Sequence, residues 1–303
     1  MLEAFLSSTI SMAAPLLLAA LGELLVEESG VINIGIEGVM LTGALAAMAG
    51  AYATGSIVIG LCCAVLAAMV MSAVIAAMAV NLAVNQVVAG TALNVFALGV
   101  TGVFYRRMFG VTGQALTVRT LPRVPLGYLS RIPLIGPALF HQNLLVYFSF
   151  LLVPLVWFLL GRTRWGLNLR AAGERPEAAD ALGLGVYSLR WQALMISAIL
   201  TGISGAYLTL GYANTFVEGM SAGRGFIALS IVILGEWRTG RVAIASVLFG
   251  AAMALQFTLQ AANTGIPYQL FLALPYVLTL LVLTVLGAQD RAPSALGEPY
   301  LRP

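Results

Sequence analysis

Charge is what this sequence has least of. Of 303 residues only fifteen are basic and twelve acidic, 9% in all, where a soluble domain carries about 25%. Hydrophobic residues make up 60% of the chain, and its mean hydropathy is +0.98. These proportions exclude a water-soluble domain and place the chain in a membrane. Lysine is missing altogether, so every basic side chain is an arginine, a compositional bias without functional meaning. The net charge of +3 reflects arginines anchored at membrane–water interfaces and not a surface for nucleic acid. Histidine occurs once, at His141 on a loop edge. The two cysteines, Cys62 and Cys63, are adjacent in an apolar run and read as helix packing, not as a disulfide or a metal site. Walker A, zinc and G-x-S-x-G patterns are also absent, which leaves the chain no ATPase or hydrolase centre of its own.

What remains is helical and membrane-spanning. The apolar runs are long and lack strict alternation, so an all-α bundle fits and a membrane barrel does not. A span needs roughly 20 apolar residues. Candidates lie at Phe5–Val26, Asn33–Tyr52, Ile57–Val80, Gln86–Tyr105, Leu144–Leu160, Trp191–Leu210, Gly223–Gly235, Val242–Ala262 and Tyr268–Leu286. These predict about nine spans (eight to ten), with Gly223–Gly235 short enough to be reentrant. The first run is retained as a helix, because MLEAFLSSTI carries Glu3 where a signal peptide would be basic. Abundant Gly and Ala suit close helix packing. Residues 1–289 thus read as a single transmembrane domain, and 290–303 as a disordered cytoplasmic tail. The segment 109–143, broken by Pro122, Pro125, Pro133 and Pro137, reads as an external loop, either a plain connector or a docking site.

Between the fifth and sixth runs lies a polar island, 161–190, with the sequence GRTRWGLNLRAAGERPEAADALGLGVYSLR. Isolated charges are costly in hydrocarbon, so this stretch must meet water. Pro176-Glu177-Ala178-Ala179 followed by Gly183 predicts a short helix with a glycine stop. Placing the island in the cytoplasm puts Arg162, Arg164, Arg170, Arg175, Arg190, Arg238, Arg241, Arg291 and Arg302 inside. Arg106, Arg107, Arg119, Arg123, Arg131 and Arg224 then fall outside, a modest positive-inside bias.

Polar residues inside the spans are few. Asn33 and Glu37 open the second span beside Gly30, Gly35 and Gly38, which permit a broken helix next to a cavity. Alternatively, Glu37 lies at the interface and caps a helix N-terminus. Asn85, Gln86 and Asn94 accompany the fourth span, and Gln256 and Gln260 lie one turn apart on the eighth. Amides suit an uncharged polar solute, but they equally serve to bond one helix to another. Glu236 with Arg238 or Arg241 suggests a surface pair, and Trp237 an interface anchor. A self-contained secondary carrier would need ion-coupling carboxylates within the spans, for which Glu23 and Glu37 are the candidates.

The segment ALGELLVEESGVINIGIEGVM, Ala20–Met40, resembles the N-terminal signature of ABC importer permeases of the ribose and branched-chain amino acid permease superfamily. Together with GRGFIALSIVILGEW, Gly223–Trp237, it is most similar to the nucleoside-type subgroup that works with a Bmp-type lipoprotein. The island resembles the cytoplasmic EAA loop of such permeases, although Gly183 follows Ala179 by a shorter interval than in the full pattern. The resemblance implies a multi-pass protein of a bacterial or archaeal cell membrane, with Arg175, Pro176, Glu177, Ala178, Ala179, Asp180 and Gly183 forming a coupling helix. It also implies a second, non-identical permease, an external or lipoprotein solute-binding protein, and an ATPase subunit that carries ATP and magnesium. Nucleosides are the implied solute, followed by simple sugars and branched-chain amino acids.

Overall fold

The computed structural model describes residues 2–110, 117–125, 130, 135–261, 268–286 and 291–301. Helices account for most of it, and seven among the described residues are long and apolar enough to cross a membrane. These are α1 (Leu2–Glu27), α2 (Ile36–Thr54), α3 (Ile57–Asn81), α4 (Gln86–Phe109), α6 (Leu144–Arg162), α9 (Val186–Ala213) and α11, Thr239–Ala261. The last turns of α3 and α9 widen to π-helix. Short helices complete the chain: α5 (Ile135–Phe140), α7 (Arg164–Glu174), α8 (Pro176–Ala181), α10 (Arg224–Leu234), α12 (Tyr268–Leu272) and α13, Leu274–Leu286. Two of the nine expected spans fall outside these seven, one of them the Gly223–Gly235 run already expected to be short. The α10 helix has only 11 residues, about half the length a crossing needs. Residues 268–286 are broken at Ala273, just before Pro275, whose ring disfavours helical geometry in the preceding turn.

The centre of the bundle is α1. From Met12 to Glu27 every residue is buried, so this helix is covered on all sides instead of along one stripe. Around it stand α9, α11, α10 and α6. Hydroxyls bond the helices across the core: Ser204 Oγ donates to the Pro15 carbonyl at 2.6 Å, and Ser72 Oγ to the Leu194 carbonyl at 3.0 Å. By contrast, Leu66 and Val70 on α3, Val95 and Phe96 on α4, and Leu151 and Leu155 on α6 are exposed, as bilayer-facing residues are.

Parts of the segment expected to be an external loop are packed against the bundle. Strands β1 (Arg123–Pro125) and β2 (His141–Asn143) pair antiparallel, a small departure from an all-α fold. The Val118 and Leu121 amides donate to the Asn214 and Leu210 carbonyls at the π-helical end of α9, each at 2.8 Å. Gln142 is buried and bonds Ser7 on α1.

The expected disordered tail also needs correction. Residues 291–301 lie across the opposite, arginine-rich end of the bundle. The Ala295 amide donates to the Gly173 carbonyl and the Gly297 amide to the Gly30 carbonyl, both at 3.0 Å. Tyr300 is 4% exposed, with its ring 5.8 Å from that of Tyr187 and the Arg190 guanidinium 5.9 Å above it. Arg190, itself buried, donates to the Ser29 and Glu298 carbonyls. A polar composition hides this packing, because one tyrosine and backbone bonds do the holding. Tyr300→Ala is expected to lower stability by about 2–4 kcal/mol, measured as thermal unfolding in detergent. An unchanged melting temperature would restore the disordered tail.

Candidate functional site

Between α1 and α2 the chain leaves helical geometry for residues 28–35, yet stays within the bundle. Every backbone group that lies away from water needs a partner there. Three side chains supply them. Glu23 Oε1 accepts from the Asn33 amide at 2.9 Å, and Gln86 Oε1 accepts from the Ile32 amide at 2.7 Å. Asn94 works in both senses: its Nδ2 donates to the Ile34 carbonyl and its Oδ1 accepts from the Gly38 amide, each at 2.8 Å. Around the same segment Glu23 Oε2, Asn33 Oδ1 and Gln86 Nε2 are buried polar atoms without a protein partner.

The α2 helix starts inside the bundle, and so does α10. Arg224 at the head of α10 borders a small cavity together with Ser11, Met12 and Pro15, midway along α1. The far end of α10 reaches the end of α1, where Trp237 Nε1 donates to Glu27 Oε2 at 2.6 Å. The heads of these two helices therefore meet, with Glu37 between them. Its Oε1 accepts from the Gly223 amide and its Oε2 from the Gly225 amide, both at 2.7 Å. A carboxylate on the free amides of a helix N-terminus is favoured by charge and by hydrogen bonding. Gly225 is required by the closeness of the approach: a Cβ there would lie 2.6 Å from the Glu37 amide nitrogen.

The structure thus brings Asn33, Glu37, Gln86 and Asn94 together and leaves the other candidates apart. Asn85 caps α4, accepting from the Val87 and Val88 amides at 3.0 and 3.1 Å. Gln256 is buried and Gln260 half-buried on α11, beyond Gly250, which abuts Thr9 and Ala13. That puts them toward the end where α1 begins. Arg224, expected in an outer loop, is half-buried in the bundle and bonds the Met220 and Ser221 carbonyls. Its GRG setting was the available signal, since flanking glycines permit a buried turn. Glu27 with Trp237 and Arg190 with Ser29 were not legible, because each pair joins distant parts of the chain.

At the arginine-rich end, α7 and the expected short helix, α8, form a knuckle. Pro176 and Ala179 are buried beneath α8, whereas Arg175, Glu177, Ala178 and Leu182 are exposed and Asp180 is half-buried. Gly183, at φ +82°, closes the helix: its amide donates to the Asp180 carbonyl and the Leu184 amide to the Ala179 carbonyl. These two bonds form a Schellman closure, which needs the left-handed residue that glycine supplies. The knuckle sits on a firm base, with the Trp165 indole donating to Gln192 Oε1 at 2.7 Å and Ser294 Oγ to Glu174 Oε2 at 2.8 Å. Glu28, just past α1, has its carboxyl pushed up to about 7 by burial, against the pull of Arg170 and with the help of Glu174. Among the described residues no three His, Cys, Asp or Glu side chains gather as metal ligands.

The family described as branched-chain amino acid transport system / permease component matches residues 5–283. A Haloferax volcanii protein provisionally named a glucose ABC transporter permease is 34% identical over 320 residues, covering 98% of this chain and 97% of its own length. A nucleoside ABC transporter permease protein of Lactococcus lactis subsp. cremoris is 32% identical over 315 residues, with 99% and 98% covered. A guanosine ABC transporter permease protein of Bacillus subtilis is 33% identical over 315 residues, with 99% and 97% covered. No solved structure matches this chain.

Glu37→Gln leaves one oxygen acceptor and turns an NH2 group against an amide donor, so it is expected to cost about 1–3 kcal/mol, measured by thermal unfolding in detergent. Wild-type stability in that variant would show that the two helix heads do not depend on this carboxylate. Glu28 gives a pH signature. Between about pH 4.5 and 7 the folded chain holds a proton that the unfolded chain has released, so stability falls as pH rises through that window. Glu28→Gln should flatten the slope of melting temperature against pH; an unchanged slope would assign it to other groups.

Proposed function

Because the chain belongs to the permease component family of branched-chain amino acid transport systems, we propose that it passes nucleosides inward as the membrane subunit of an ABC importer. The observation that carries the nucleoside reading is the likeness over nearly the whole chain to two permeases named for nucleosides and for guanosine. The Haloferax volcanii relative, named for glucose, supports simple sugars as the second reading. The chain is a multi-pass protein of the cell membrane and works as a transport component, not as an enzyme.

In this reading α8 is the coupling helix. Its exposed Glu177, Ala178 and Leu182 seat in a partner ATPase subunit, which holds ATP and magnesium. A solute-binding protein delivers the nucleoside to the opposite end, and a second, non-identical permease completes the pathway. With α10 as a half-crossing and α12–α13 as a broken one, the chain makes nine passes. Closure of the ATPase pair moves α8 and α7 as a rigid body. The movement reaches α1 where the Gly173 and Gly30 carbonyls hold the same C-terminal strap. From there the non-helical segment 31–35 leads to Glu37 and the head of α10, the junction that opens. Asn33, Gln86 and Glu23, with polar atoms lacking a protein partner, form the polar lining that an uncharged solute meets as the junction parts.

Uptake of labelled nucleoside by the reconstituted complex tests both parts. Unlabelled nucleosides should compete and glucose should not; the reverse outcome selects the sugar reading. Glu177→Arg should reduce uptake at least about tenfold while membrane insertion is retained, since it reverses the charge on the exposed face of α8. Undiminished uptake by that variant would end the coupling assignment.

A further inference from the structure

A cavity of about 590 Å³ opens at the arginine-rich end, between the last turn of α6, α7 and the turn that joins α10 to α11. Arg170, Arg238 and Arg241 line it, and the one carboxylate among its lining residues belongs to Glu28. Arg241 is paired with Glu236, which also holds Arg291 at 2.7 Å, so a single carboxylate is shared between two guanidiniums. Arg238 has no carboxylate within ion-pair distance among the described residues. The joining turn holds Glu236 and Trp237 at φ +50° and +53°, a left-handed conformation that costs non-glycine residues energy and clusters at functional places. It leads directly into the first turn of α11, at Thr239 and Gly240, where helix amides favour an anion.

The other wall is apolar and faces outward. Trp157 is 54% exposed and Ile244 72% exposed, and both lie on helices long enough to cross a membrane. Leu248, one turn beyond Ile244 on the same face of α11, continues that surface away from the arginines. A basic pocket that merges into a bilayer-facing groove has room for a phosphate group and a surface for acyl chains. A soluble anion would use only the first of these.

From this combination we infer that the cavity holds one anionic phospholipid, with its phosphate among Arg170, Arg238 and the head of α11 and its acyl chains along Trp157, Ile244 and Leu248. The bound lipid packs α6 and α7 against the α10–α11 turn and so ties the knuckle to the half-crossing helix. This site is independent of the solute and of the coupling assignment.

Native mass spectrometry of the full-length, delipidated chain in detergent tests the inference. Phosphatidylglycerol should bind with one tight site. Phosphatidylcholine with the same acyl chains, and glycerol phosphate alone, should bind far more weakly. Arg238→Gln and Arg170→Gln should each weaken the phosphatidylglycerol site about fivefold, and Arg238→Lys should keep most of the affinity. Either glutamine variant serves alone if the other does not fold. Equal retention of phosphatidylcholine, equal binding of glycerol phosphate, or unchanged affinity in a folded glutamine variant would each overturn it.

Discussion

A backbone that abandons the helix inside a membrane bundle must find new hydrogen-bond partners within the protein, and residues 28–35 set that problem here. Water is not at hand to repair an unmade bond, and each orphaned buried group costs about 1–3 kcal/mol. Glu23, Gln86 and Asn94 solve it from two different helices. Because they do, α2 can begin deep within the bundle. The descending chain from α9 then has a partner for the head of α10, namely the Glu37 carboxylate. The position of one irregular segment thus decides where two helices start.

Such an arrangement is suited to movement. Hydrogen bonds from side chains to backbone can be exchanged one at a time, whereas a continuous helix resists opening along its whole length. The knuckle at the arginine-rich end is built differently, on buried small residues and a C-terminal strap bonded to both Gly30 and Gly173. Its inner face is buried and its outer face is exposed.

Charge is distributed to the same end. Arg162, Arg164, Arg170, Arg175, Arg238, Arg241 and Arg291 are all exposed around the knuckle, whereas Arg106 at the other end forms a two-bonded pair with Glu218, at 2.7 Å per bond. That pair holds the Glu218 carboxyl below the ordinary carboxylate range. Arg224, counted as external, and Arg190, counted as internal, both lie within the bundle, so the bias between the two ends stays modest.

Composition and apolar run length were enough to show a helical membrane protein, and seven of the nine expected spans are long helices among the described residues; the Pro176–Ala179 stretch before Gly183 was enough to show a short helix. These features depend on residues close together in sequence, or on bulk transfer from water to hydrocarbon, and both can be read locally. Asn33, Glu37, Gln86 and Asn94 stood out as polar residues in apolar surroundings, yet their partners did not. Glu37 meets residues 186 and 188 positions away, and no local rule specifies such a meeting. The ordered strap was missed for the same reason, since Tyr300 is buried only because Tyr187 and Arg190 are brought beneath it. Tertiary structure decided which amide satisfies which backbone group, because hydrogen bonds are directional and short-ranged, while the hydrophobic pattern records burial without naming the neighbour.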